Sequence, residues 1–132
     1  MAETKSQGKF VLFFFGADVD EMSLDTVLIE HGIAVDVVRN EEDAHTMLDE
    51  HAIDLVIIQD FSDVYMIRAI SAVRDHLNKI KKDVPIVVIS YQAGDSGFTQ
   101  KVFKAGGNYV YSRHYTTDEL VPKIQGLLDG NH

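Results

Sequence analysis

The 132-residue sequence contains no cysteine, which removes at once a disulfide framework, a thiol nucleophile and a thiolate metal site, and suits a reducing compartment. Basic residues are scarce. Twelve lysines and arginines stand against 21 acids for a formal net charge of -9, a balance that repels phosphate backbones and argues against direct nucleic-acid binding. The basic stretch KIKK (Lys79 to Lys82) reads as a solvated helix end. The apolar run FVLFFF (10–15) falls far short of the roughly 20 residues of a membrane helix, and the polar MAETKSQGK before it lacks the pattern of a signal peptide. A cytoplasmic location without membrane contact is therefore expected. A Walker-type phosphate loop, G-x-G-x-x-G and G-x-S-x-G are all missing, so nucleotide-binding and hydrolase readings have no support. The six histidines, at 31, 45, 51, 76, 114 and 132, are nowhere paired at i,i+4 on one helix; they read as surface or helix-end residues, and no metal site is expected from them. There is no internal repeat, and with only DGNH after the last helix no output domain is expected.

With 45% hydrophobic residues, the length fits one domain of ordinary size: residues 9–129, preceded by a disordered tail, 1–8. Along it strands and helices alternate. KFVLFFF (9–15) is an unbroken apolar strand; Leu24, Val27, Leu28 and His31 recur at helical spacing before a Gly32 stop; IAVDVV (33–38) is a second strand. Asn40 precedes three acids and caps a helix whose inner face is Ala44, Met47 and Leu48. DLVIIQ (54–59) is the third strand, and Met66, Ala69, Ile70, Val73, Leu77 and Ile80 mark a long amphipathic helix. PIVVIS (85–90) is the fourth strand, Phe98, Val102 and Phe103 sit on a short helix closed by Gly106 and Gly107, and YVYS (109–112) is the fifth strand. Thr116 and Glu119 form a capping box ahead of Leu120, Ile124, Leu127 and Leu128. Such alternation predicts an α/β, doubly wound, parallel sheet with helices on both faces. Sites in such sheets lie past the carboxyl ends of the strands, which selects Phe15 to Asp20, Gln59 to Asp63, Ser90 to Gly94 and Ser112 to Tyr115.

The ordered set DLVIIQD (54–60), VPIVVIS (84–90) with its hydroxyl five places after the proline, and KAGGNYVYSRHYTTDEL (104–120) resembles the receiver domains of two-component response regulators, CheY-like proteins, over nearly the whole chain. The resemblance implies a flavodoxin-like, five-stranded sheet of order 2-1-3-4-5. It also implies a phosphorylation pocket: an acidic pair after the first strand holding Mg²⁺, an acceptor aspartate after the third, a Ser/Thr hydroxyl and a lysine.

Carried over residue by residue, that pocket is degenerate. The acidic pair falls on Phe14, Phe15 or Gly16, and phenylalanine cannot ligate magnesium; Asp18 and Asp20 are the weak metal candidates, with loop or helix-capping roles as the alternative. The acceptor position, five residues after Asp54, is Gln59, whose amide cannot form an acyl phosphate; Asp60 is the alternative acceptor and needs a bulge to reach the pocket, since neighbouring strand residues face opposite ways. Ser90 matches the hydroxyl, Tyr91 is expected to crowd the site, Arg113 takes the lysine position and His114 that of a proline. With Gln59 at the acceptor position, its amide is expected to donate to Ser90 and accept from Arg113.

These residues suggest a stand-alone pseudo-receiver acting in signal transduction as a phosphorylation-independent protein-interaction module, not an enzyme and with no cofactor. Its contact face is the fourth helix, fifth strand and fifth helix with Tyr109, Tyr111 and Tyr115, its partner a signalling protein or histidine kinase, and its state a monomer or weak homodimer. The alternative is a receiver phosphorylated on Asp60 with Mg²⁺; a more distant one is a small-ligand binder using the vacant pocket.

Overall fold

The computed structural model describes residues 8–16, 24–59 and 61–130. Runs of branched and aromatic residues make five strands, and each crossover is an amphipathic helix: β1 (Phe10–Phe15), α1 (Leu24–Glu30), β2 (Ala34–Val38), α2 (Glu41–Glu50), β3 (Leu55–Gln59), α3 (Asp63–Lys79), β4 (Ile86–Ser90), α4 (Ser96–Ala105), β5 (Tyr109–Ser112) and α5 (Thr117–Leu128). The strands pair in parallel in the order β2-β1-β3-β4-β5. This is the flavodoxin-like arrangement expected.

Strand alternation divides the core in two. Leu12, Phe14, Val56, Ile58, Ile86 and Val88 face one way, onto Ala44 and Leu48 of α2, Met66, Ile70 and Val73 of α3, and Phe98 and Val102 of α4. Val11, Phe13, Phe15, Leu55, Ile57, Val87 and Ile89 face the other, onto Leu24 and Leu28 of α1 and Leu120, Ile124 and Leu127 of α5. Both faces of the central strands are covered, which is why β3 and β4 read as continuous apolar runs.

The helix ends follow their local chemistry. Asn40 Oδ1 accepts from the Asp43 amide at 2.8 Å, Asp95 Oδ1 accepts from the Gly97 and Phe98 amides, and the Thr116–Glu119 capping box is present. α4 closes on Gly106, whose φ of 114° lies in the left-handed region that glycine favours. Arg74 of α3 locks this corner: Nε donates to Gly106 O at 3.0 Å, and its terminal nitrogen to Val84 O at 3.0 Å and Asn108 Oδ1 at 2.8 Å.

Asp54 lies just before β3, not in it, and its carboxylate accepts the Phe10 amide at 2.8 Å, which anchors the start of β1. The proposed helix residue Phe103 lies on α4 but points out, at 53% exposure. Among the described residues no helix is long and apolar enough to cross a membrane.

Candidate functional site

The carboxyl ends of β1, β3, β4 and β5 converge. Register sets Phe15 beside Gln59, Gln59 beside Ile89, and Ser90 beside Ser112. In-register neighbours in a parallel sheet share a face, so Gln59 sits in a row between a phenylalanine and an isoleucine. It is fully buried.

Where the resemblance calls for acids, the structure holds apolar core. Phe14 and Phe15 are each 2% exposed. Phe14 packs edge-on against Phe61, with ring centroids 5.1 Å apart, and Phe15 stacks with Phe13 at 5.6 Å. Gly16 follows, its amide bonded to Gln59 O. These residues do not fit a magnesium ion, which takes oxygen ligands, and among the described residues no three His, Cys, Asp or Glu side chains are placed to hold any metal. The candidates Asp18, Asp20 and Asp60 lie outside the described residues.

The acceptor half of the expected closure of the pocket by the Gln59 amide is corrected. Gln59 Oε1 accepts no hydrogen bond among the described residues, so it does not accept one from Arg113. Ser90 Oγ accepts the Gln92 amide at 3.0 Å, an ST-type turn that draws the hydroxyl into its own loop. Arg113 is placed by its backbone, whose amide donates to Ser90 O at 2.9 Å, and its guanidinium lies 5.7 Å from the centre of the Tyr91 ring.

Tyr91 departs from expectation too. Its ring is 61% exposed and meets His114 edge-on at 4.8 Å. It leans outward to its aromatic and cationic neighbours and does not fill the site. What remains is a cavity of about 160 Å³ lined by Phe61, Met66, Ile89, Ser90, Tyr91 and Arg113. Gln59 is not among the residues lining it. Ser90, Tyr91 and Arg113 are thus brought together at one cavity, while Gln59 is set apart beneath the surface.

Tyr109, Tyr111 and Tyr115 are half-buried against the α1–α5 side of the core. They form a stripe along the edge strand β5, with Lys123 Nζ 5.8 Å from the Tyr111 ring centre and 5.2 Å from that of Tyr115. Burial, and after it the neighbouring Tyr109 and Tyr115, push the Tyr111 hydroxyl above its ordinary value near 10.

The sequence reading missed one constellation. His45 of α2 and His76 of α3, expected as independent surface residues, stack face to face with ring centroids 4.1 Å apart. Spacing within one helix carries no signal of a pair made across two; helical phase places His45 next to buried Ala44 and His76 next to buried Leu77, the one cue available.

No protein-family model matches the sequence, and no curated protein matches it. Solved structures do. A response regulator from Thermotoga maritima superposes with a TM-score of 0.75 at 21% identity, covering 91% of this chain and 97% of that one. An orphan response regulator of H. pylori gives 0.72 at 21% identity, over 92% and 97%. The receiver domain of a sensor histidine kinase from Pseudomonas aeruginosa, with magnesium coordinated in its active-site cleft, gives 0.66 at 19% identity, over 93% and 98%. The structural neighbours of this chain are CheY-like receiver domains, and its fold is theirs.

Proposed function

We propose that this protein is an atypical receiver domain that serves two-component-type signal transduction as a protein-interaction module, without a phosphoryl switch and without catalysis of its own. The observation that carries this reading is the apolar filling of the strand ends: Phe14 and Phe15 at 2% exposure where a receiver needs metal-binding acids, beside a fully buried Gln59. Acyl-phosphate formation needs a carboxylate nucleophile and a cation to offset the charge gathering on the phosphoryl oxygens; phenylalanine and a primary amide provide neither. The magnesium held in the cleft of the Pseudomonas kinase receiver has no counterpart among these side chains.

The contact face is α4, β5 and α5. β5 is an edge strand, and its tyrosines combine apolar rings with polar tips, the residue type enriched at the centres of interfaces. Phe103 adds exposed apolar area on α4. The partner is a signalling protein of the same system, such as a histidine kinase, engaged as monomer or weak homodimer.

Incubation with acetyl phosphate and Mg²⁺ followed by intact-mass measurement tests the reading. The mass is expected to stay unchanged. A phosphoryl adduct that disappears in Asp60→Asn would overturn it in favour of a phosphorylated receiver.

A further inference from the structure

The first turns of α3 and α4 leave a groove between them, on the face of the sheet opposite to the one the tyrosine stripe packs on. It has a volume of about 540 Å³ and is lined by Val64 and Ile67 of α3, by Gly97, Phe98 and Lys101 of α4, and by Asp95 just before α4. Phe98 is its nearly buried floor, and Gly97 adds no side chain to fill it. Val64 stands at the lip, 78% exposed, with Tyr65 beside it at 60%. Ser62 ahead of this pair makes no side-chain cap to the helix. A branched and an aromatic residue facing water give nothing to a helix start, where acids and polar caps stabilise; joined to the groove they make one exposed apolar patch, the mark of a contact surface.

Charge selects the occupant. The charged side chains lining the groove among the described residues are one acid and one base, Asp95 and Lys101, a local balance in a chain whose formal net charge is -9. Two copies meeting here are spared the like-charge repulsion that the chain's acid excess imposes elsewhere. Asp95 is exposed and held in place, its Oδ1 accepting the Gly97 amide at 2.8 Å and the Phe98 amide at 3.2 Å. A two-fold axis at the groove sets Asp95 of each copy against Lys101 of the other, so one acid and one base make two ion pairs. The same axis brings Val64 of each copy to the opposite Phe98 floor. An unrelated partner would have to supply the apolar knob and both charges; a second copy already carries them.

We propose that the α3–α4 groove is a homodimer interface, in which Val64 of each copy enters the groove of the other while Asp95 and Lys101 pair across the two-fold axis. The patch is small, so the dimer is weak and reversible. It leaves the stripe of Tyr109, Tyr111 and Tyr115 uncovered, and Phe103, five residues on from Phe98, lies on another flank of α4. The interface stands independently of the proposed function; joined to it, the dimer presents two tyrosine faces to a partner at once.

Sedimentation velocity of the full chain from about 10 μM to about 1 mM, a range suited to weak contacts, tests the proposal. The wild type should shift from monomer toward dimer across it. Val64→Asp places a carboxylate in the apolar groove of the other copy yet suits a helix first turn, so it should weaken association at least about tenfold with no loss of thermal midpoint. Lys101→Asp and Asp95→Lys each turn both ion pairs into like-charge contacts and should each be monomeric; their equimolar mixture restores both pairs and should dimerise. Because Asp95 also caps α4, circular dichroism of each variant accompanies the mixing. A wild type that stays monomeric to about 1 mM would overturn the proposal and leave the groove to a different partner. So would a dimer that survives Val64→Asp, or two folded charge variants that remain monomeric when mixed.

Discussion

Replacing Gln59 with aspartate, the substitution that by resemblance should rebuild a phosphoacceptor, is expected to damage the fold without restoring chemistry. Position 59 is fully buried and lies in a row with Phe15 and Ile89, so the new carboxylate would sit among apolar groups. Full burial raises a carboxyl pKa by about 3 units, and at 1.36 kcal/mol per unit this costs about 4 kcal/mol at neutral pH. The sign fixes the pH dependence. A carboxyl whose folded pKa is raised is tolerated below its unfolded value, near 3.9, and the penalty grows as pH climbs toward the folded value. Unfolding free energies from urea titration for Gln59→Asp and wild type should nearly coincide at about pH 4 and differ by about 4 kcal/mol at about pH 7.5, out of a total stability of about 5–15 kcal/mol. Millimolar Mg²⁺ should leave the deficit in place, because Phe14 and Phe15 supply no oxygen ligand. A deficit below about 1 kcal/mol at neutral pH, or its recovery on adding Mg²⁺, would refute the reasoning.

Arg74→Met removes the donors to Gly106, Val84 and Asn108 at the α4–β5 corner and should cost about 2–4 kcal/mol by urea unfolding, since three acceptors lose a charged partner at once. Pro122 lies inside α5, where it withholds an amide from the helical ladder; Pro122→Ala should raise stability by about 2 kcal/mol, read as an increase in thermal midpoint. Tyr111 is held protonated by burial, so its contribution to stability is complete below about pH 10 and is lost above it. In a tyrosinate absorbance titration Tyr111→Phe should remove a tyrosine that titrates above its ordinary value and flatten the alkaline fall in stability.

Much of this architecture is legible locally. Short unbroken apolar runs between helices can form only a sheet covered on both faces, and Asn40, Thr116 with Glu119, and Gly106 close their helices through side chains or angles that neighbouring residues determine. Strand ends are less legible, because the contacts of Asp54 just before β3 are with Phe10, 44 residues away. Side-chain direction at the site is less legible still. Tyr91 turns outward to meet His114 and Arg113, which come from another loop, and Ser90 Oγ accepts the amide two residues on. The His45–His76 pair could not be read from periodicity, because its two halves belong to different helices.

The pocket geometry also bears on how such a domain could be biased between states. A two-state equilibrium moves only by the difference in a ligand's affinity for the two states, and shifting it from about 1:99 to 99:1 takes about 5.5 kcal/mol. In a phosphorylated receiver a covalently attached dianion with its metal supplies this. Here Phe14 is locked against Phe61, and the Ser90 hydroxyl is held by Gln92, at about 1 kcal/mol for such a hydrogen bond. Among the described residues these two contacts fall well short of the required figure. A protein partner approaches it, since two or three aromatic side chains buried at the centre of an interface contribute about 2 kcal/mol or more apiece. The half-exposed Tyr111, Tyr115 and Phe103 are sufficient in number. Under the proposed function the tyrosine stripe along β5 is therefore both the recognition surface and the energetic substitute for the phosphoryl group, so that binding and switching are one event at one face.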